Sequence, residues 1–144
     1  LADLRGRLLG LVGADAEAFG PLAAAYRMPK DTPEQLAAKQ AAIQDALVGA
    51  TEVPLDIMRT AAACVEHADF LARSGSRMAR SDAGVSVAFA RAAVDGASLN
   101  VYINAASIDD AERAARYRDE ADRLVAQTRE HCDEVFAFVK DAVS

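Results

Sequence analysis

The residues best suited to chemistry lie in two short segments, Ser81-Asp82-Ala83-Gly84-Val85 and Asn100-Val101-Tyr102-Ile103-Asn104, within an otherwise Ala-rich chain. Asn disfavours helix interiors because its amide competes with the backbone for hydrogen bonds. Two of them at i and i+4 point the same way from a helix. Polar groups on an apolar helix need partners, and a bound polar molecule is one source of them. A carboxylate serves in proton transfer or charge stabilisation, and an amide hydrogen-bonds a ligand without adding charge. Asp82 is the first carboxylate to consider, with Ser81 beside it. Asp15 is the second; it sits one helical turn before Phe19, so one face presents both. Arg27 and Lys30 flank the Met28-Pro29 turn and suit an anionic group, which Arg27 can grip bidentately. Each residue also has a plain structural reading. Ser81 or Asp82 caps a helix, Asp15 is a solvated helix charge, and Arg27 and Lys30 are cations at a helix C-terminus. Asn100 and Asn104 then form a polar pair crossing to a neighbouring helix or a dimer interface.

Helices must position all of these. Asp3 to Arg27 carries apolar residues at 4, 8, 11, 12, 18, 19 and 22, mostly at helical spacing, with Gly20-Pro21 expected to kink or interrupt it. Thr32-Pro33-Glu34-Gln35 starts the next helix, with Thr32 as cap, Pro33 in the first position and Gln35 completing a capping box. That helix is expected to run through Pro54 as a kink to about Arg73, with Gly75 as its C-terminal cap and Lys39 on its solvated side. Ser81 or Asp82 opens a third helix, in which Gly84 and Gly96 leave room for another backbone. Ser107-Ile108-Asp109-Asp110 opens the last, whose apolar positions recur at spacings of three and four to the chain's end. Strand alternation, internal repeats and linkers are not evident. The expected fold is all-α, an up-and-down bundle of long, partly kinked helices forming a single domain over residues 1–144.

Composition narrows the function classes. A formal charge of −6 argues against nucleic acid as the main partner. No apolar run is expected to approach the roughly 20 residues that span a bilayer, and no secretory signal pattern is seen. Cys64 and Cys132 do not make a disulfide framework, so a reducing cytoplasm is expected. Cys64 and His67 share a helix face, but two ligands do not make a zinc site. No Ser-His-Asp set or phosphate-cradling Gly-rich loop is evident.

Asp15-Ala16-Glu17-Ala18-Phe19, Ala25-Tyr26-Arg27-Met28-Pro29-Lys30, Val53-Pro54-Leu55, Ser81-Asp82-Ala83-Gly84-Val85 and Asn100-Val101-Tyr102-Ile103-Asn104 follow one another at specific spacings. In that order they resemble the cyclodeaminase/cyclohydrolase family of folate one-carbon enzymes. The family includes the C-terminal half of formiminotransferase-cyclodeaminase and stand-alone bacterial methenyltetrahydrofolate cyclohydrolases. Two departures stand out. The family is expected to begin with an upstream helix opened by a Pro-Gly-Gly-Gly segment, which is not in this sequence. Gly75-Ser76 also stands where the family commonly has Gly-Asn.

The resemblance implies an enzyme acting on the one carbon attached to folate N5 or bridging N5 and N10. In the hydrolase direction, water adds to a cationic amidinium carbon of methenyltetrahydrofolate, and one C–N bond opens to give formyltetrahydrofolate. In the lyase direction, N10 of formiminotetrahydrofolate attacks the formimino carbon and ammonia leaves. Neither route needs a metal, a redox cofactor or a covalent enzyme intermediate, so the folate substrate is the only small molecule expected. The implied catalytic groups are Asp82 and Asp15. Arg27 and Lys30 are implied to hold the glutamate tail, and Ser81, Asn100 and Asn104 the pterin or one-carbon unit. A homodimer is implied as well, with a site open to contributions from both subunits. The sequence contains no formiminotransferase portion, which tilts the expectation toward the hydrolase. The alternatives are a non-catalytic helical interaction module, in which the polar stripe only fixes helix register, and an inactive family member.

Overall fold

The computed structural model describes residues 2–144. Among them the chain forms four helices and no strand: α1 (Ala2–Arg27), α2 (Pro33–Ser74), α3 (Arg77–Ala105) and α4 (Ala111–Val143). The all-α expectation holds, and α1 and α2 each continue through an internal proline, Pro21 and Pro54.

Local chemistry sets the helix ends. Thr32 accepts from the Gln35 backbone N–H at 3.2 Å, while the Gln35 side chain reaches back to the N–H of Asp31 rather than to that of the cap itself. Gly75 closes α2 in an extended conformation (φ −82°, ψ 168°), donating its N–H to Leu71 at 2.8 Å. A Cβ on Gly75 would stand 2.5 Å from the Leu71 oxygen, so close approach, and not a left-handed backbone, requires glycine there. Ser76 follows at once as the N-cap of α3, accepting from Ala79 N–H at 3.4 Å. The expected cap at Ser81 or Asp82 is therefore corrected: both lie inside α3, past its first turn, because Ser76 has already met the free N–H groups. Asp110 caps α4, accepting from Arg113 N–H at 3.0 Å.

α2 is the spine. At 42 residues it is about 63 Å long, and α1, α3 and α4 all pack on it. α3 also packs on α4, but α1 packs on neither of them. One apolar cluster joins Leu22, Leu47, Leu55, Met58, Val94, Val101, Ile108 and Tyr117. A second, nearer the α2–α3 turn, joins Val65, Val87, Cys132, Val135 and Val139. Gly84 permits close contact with α4, since a Cβ there would lie 2.9 Å from Val139 Cγ1, whereas Gly96 faces open space. Gly84 thus receives a side chain and not the backbone expected from the sequence.

Ion pairs tie the bundle from outside the core. The Arg59 guanidinium on α2 donates to both carboxylate oxygens of Glu120 on α4, at 2.8 and 3.0 Å, and to Asp56 at 3.0 Å. The Arg59 fork holds the Glu120 carboxyl below its ordinary range. Tyr117 donates to Glu52 at 2.9 Å, and burial followed by this bond pushes its phenol up.

Only Leu22 and Ala25 of α1 are buried. An 18-residue stretch of α1 reaches a mean hydropathy of 1.3 despite containing Asp15 and Glu17, long and apolar enough by that measure to cross a bilayer. This corrects the expectation that no apolar run approaches bilayer-spanning length; Asp15 and Glu17 interrupt the stretch in the sequence without bringing its mean below that mark.

Candidate active site between α1 and α3

Because α1 and α3 both lean on α2 without meeting, a gap runs between them. One end of it opens into a hollow of about 750 Å³. Asp15, Phe19, Leu22 and Tyr26 of α1 form one wall. Leu47 and Ala50 of α2 form the floor, and Asn100, Ile103, Asn104 and the following Ser107 form the other wall. Asp15 and Phe19 share this wall as their spacing predicts. Asn100 and Asn104 share theirs for the same reason.

The hollow is polar in a few places on an apolar lining, as a site that orients a flat organic molecule must be. Asn104 Nδ2 donates to the Ala50 backbone oxygen at 2.8 Å. Behind it, Tyr102 donates to Asp122 at 2.6 Å; burial, then this bond, raises its phenol above the ordinary value. The loop after α3 is clamped from α2 by one side chain. Gln44 Nε2 donates to the Ser107 oxygen at 3.0 Å, and its Oε1 accepts from the Asp109 N–H at 2.8 Å. Arg118 of α4 adds a bond to the Ala105 oxygen at 3.2 Å.

Lys39 fixes the far end of the α1 wall. Its ammonium donates to the Tyr26 oxygen at 2.6 Å and the Met28 oxygen at 3.1 Å, satisfying carbonyls at the C-terminus of α1. This corrects the reading of Lys39 as a solvated side chain. Neither Lys39 nor Gln44 stands out in the sequence as part of a site. Each sits at an ordinary polar position of α2, and its partners are backbone groups more than ten residues away.

The structure brings together Asp15, Asn100 and Asn104, but not the other candidates. Arg27 and Lys30 are exposed beyond Tyr26, outside the lining. Ser81 and Asp82 are exposed on α3. Asp82 precedes Asn100 by 18 residues, which is five helical turns and about 27 Å along the axis, on the same face. Within one chain, Asp82 therefore stands well away from the hollow. Among the described residues, no three of His, Cys, Asp or Glu gather as a metal site.

Comparison with known proteins gives this arrangement a lineage. The methenyltetrahydrofolate cyclohydrolase of Methylorubrum extorquens is 38% identical over 141 residues, covering 98% of this chain and 68% of that protein. The formimidoyltransferase-cyclodeaminase of Sus scrofa is 35% identical over 123 residues, covering 85% of this chain but 23% of the longer protein. The crystal structure of a formiminotetrahydrofolate cyclodeaminase from Thermotoga maritima superposes with a TM-score of 0.72 at 22% identity, over 99% of this chain and 65% of that one, and so shares the fold. The family model for formiminotransferase-cyclodeaminase matches residues 1–123, which include both walls and the floor of the hollow. The chain belongs to the formiminotransferase-cyclodeaminase family.

Proposed function

We propose that this protein is a folate one-carbon enzyme that hydrolyses methenyltetrahydrofolate to formyltetrahydrofolate in the hollow between α1 and α3, with no cofactor beyond the folate itself. The observation that carries the reading is the meeting of one carboxylate and two amides, Asp15, Asn100 and Asn104, in a single apolar-walled hollow. The Methylorubrum extorquens relative, of which this chain covers 68%, is named methenyltetrahydrofolate cyclohydrolase. Phe19, Leu22, Tyr26 and Ile103 offer apolar surface for the pterin, and the amides fix its edge. The Asp15 carboxylate stabilises the amidinium cation and receives a proton as water adds to its carbon. Arg27 and Lys30, just beyond Tyr26, take the anionic tail. Cyclisation of formiminotetrahydrofolate with loss of ammonia is the second reading, favoured by the mammalian relative's name. We place the protein in the cytoplasm, consistent with its free Cys64 and Cys132.

Asp82 enters through a homodimer. Met78, Val85, Phe89, Leu99 and Ile103 of α3 are exposed, and Asp82 and Asn100 lie along the same side. Two copies paired antiparallel along this side, crossing at the level midway between these two residues, bring Asp82 of the partner subunit beside Asn100. The open space over Gly96 allows the helices to approach there.

Two measurements test the reading. A spectroscopic assay follows methenyltetrahydrofolate loss above the spontaneous rate, in parallel with ammonia release from the formimino substrate. Mixed dimers of Asp15→Asn and Asp82→Asn subunits contain one intact site if the carboxylates come from different chains, so mixing restores turnover lost by each alone. If mixing restores nothing, the two-chain site is wrong; if neither substrate turns over, so is the enzyme reading.

A further inference from the structure

We propose that Pro54 is a positioning residue for the site: the carbonyl it leaves free in α2 fixes which end of the Asn104 amide faces the ligand. The inference rests on the hollow between α1 and α3 being the folate site. Pro54 is buried mid-helix and has no N–H, so the Ala50 carbonyl four residues before it lacks its regular i+4 backbone donor. A half-buried carbonyl without a partner is costly. The donor it receives comes from another helix, Asn104 Nδ2 at 2.8 Å, and both residues line the hollow.

The bond carries information because an amide is nearly symmetric in shape. Its oxygen and nitrogen exchange places on a half-turn, and only hydrogen bonding distinguishes the two poses. A carbonyl accepts only from the NH2 end. Asn104 is therefore held with its nitrogen toward α2 and its Oδ1 released as an acceptor. The neighbouring polar side chain in this part of α2 does not compete, since the buried Thr51 hydroxyl is engaged with the Leu47 oxygen at 2.6 Å. The hollow thereby reads a ligand N–H donor at Asn104, which suits the amide and amine edge of a pterin. With an N–H at position 54, the helix itself donates to the Ala50 carbonyl and competes with the amide for it, which weakens the reference.

The test compares Pro54→Ala, Asn104→Ala and the double variant with the parent chain. In each, the Asn104 side-chain amide resonances, where present, and the Ala50 carbonyl carbon shift are recorded without substrate, and KM and kcat for methenyltetrahydrofolate are measured separately. Pro54→Ala should keep its helical circular dichroism and lose the hydrogen-bonded signature of the Asn104 amide. It should also raise KM about tenfold with kcat changed less than about threefold. The double variant should be no worse than Asn104→Ala alone, because the two act through one bond. Unchanged Asn104 resonances in a folded Pro54→Ala, or effects on KM that multiply, overturn the proposal. Should Pro54→Ala fail to fold, the Ala50 shift in Asn104→Asp decides. An aspartate cannot donate to that carbonyl, so the shift must move, and an unmoved shift refutes the bond. The resonance arm reads the coupling even if no folate is turned over, which separates failure of this proposal from failure of the enzyme reading.

Discussion

The gap between α1 and α3 holds two hollows that share a floor on α2 and differ in what they ask of a ligand. The first, about 750 Å³, presents Asp15, Asn100, Asn104 and Ser107. The second, about 400 Å³, lies further along and is lined by Leu8, Ala61, Cys64, Ala68, Leu71, Ser86, Phe89, Ala90 and Ala93. Its polar groups are quiet. The Ser86 hydroxyl is spent on the Asp82 oxygen at 2.8 Å, and burial pushes the Cys64 thiol up, away from the reactive thiolate. The scaffold is the same in both places, so it is the polar groups needing outside partners that favour the first hollow as the proposed site. The second suits apolar contact alone.

The contrast can be broken most forcefully at Asp15. Asp15→Asn keeps the shape of the wall and removes its charge, and kcat for methenyltetrahydrofolate should fall by at least about 100-fold with the fold intact. A loss under about threefold would move the chemistry elsewhere. Phe89, 72% exposed at the rim of the second hollow, tests whether that region serves assembly. Phe89→Asp should convert a dimer to a monomer by light scattering and lower turnover about tenfold, since the two-chain site is lost. A fully active monomer would remove Asp82 from the mechanism. The smallest effect belongs to Cys64→Ser, which should leave kcat and KM within about twofold and lower stability by about 1 kcal/mol in thermal melts.

Much of the fold was legible because helix signals are local. The Thr32-Pro33 start, the passage through Pro54, the stop at Gly75 and the Asp110 region are all decided within a few residues. The start of α3 was misplaced because Ser-Asp before an apolar run looks like a cap, while Ser76 lies close enough upstream to take that role first. Within the hollow, Asp15, Asn100 and Asn104 were legible as polar residues at helical spacing. Lys39, Gln44 and the Asn104–Ala50 bond were not, because their partners are backbone groups that only tertiary packing brings near. Arg27, Lys30, Ser81 and Asp82 were singled out by motif, and motif does not say which surface a residue faces or which chain it serves.

One helix carries an asymmetry with a further consequence. α1 contributes Asp15, Phe19, Leu22 and Tyr26 to the wall yet buries only Leu22 and Ala25, and it is held by side chains such as Lys39 near its end and Arg7, which pairs with Asp56 at 3.3 Å. The free energy needed to peel it from α2 should therefore be smaller than that needed to unravel the other three helices, which supply nearly all of the core. With the proposed site on α1, catalytic competence and global foldedness become separate quantities: warmth, denaturant or a proteolytic nick in α1 should silence turnover while the rest of the bundle still stands.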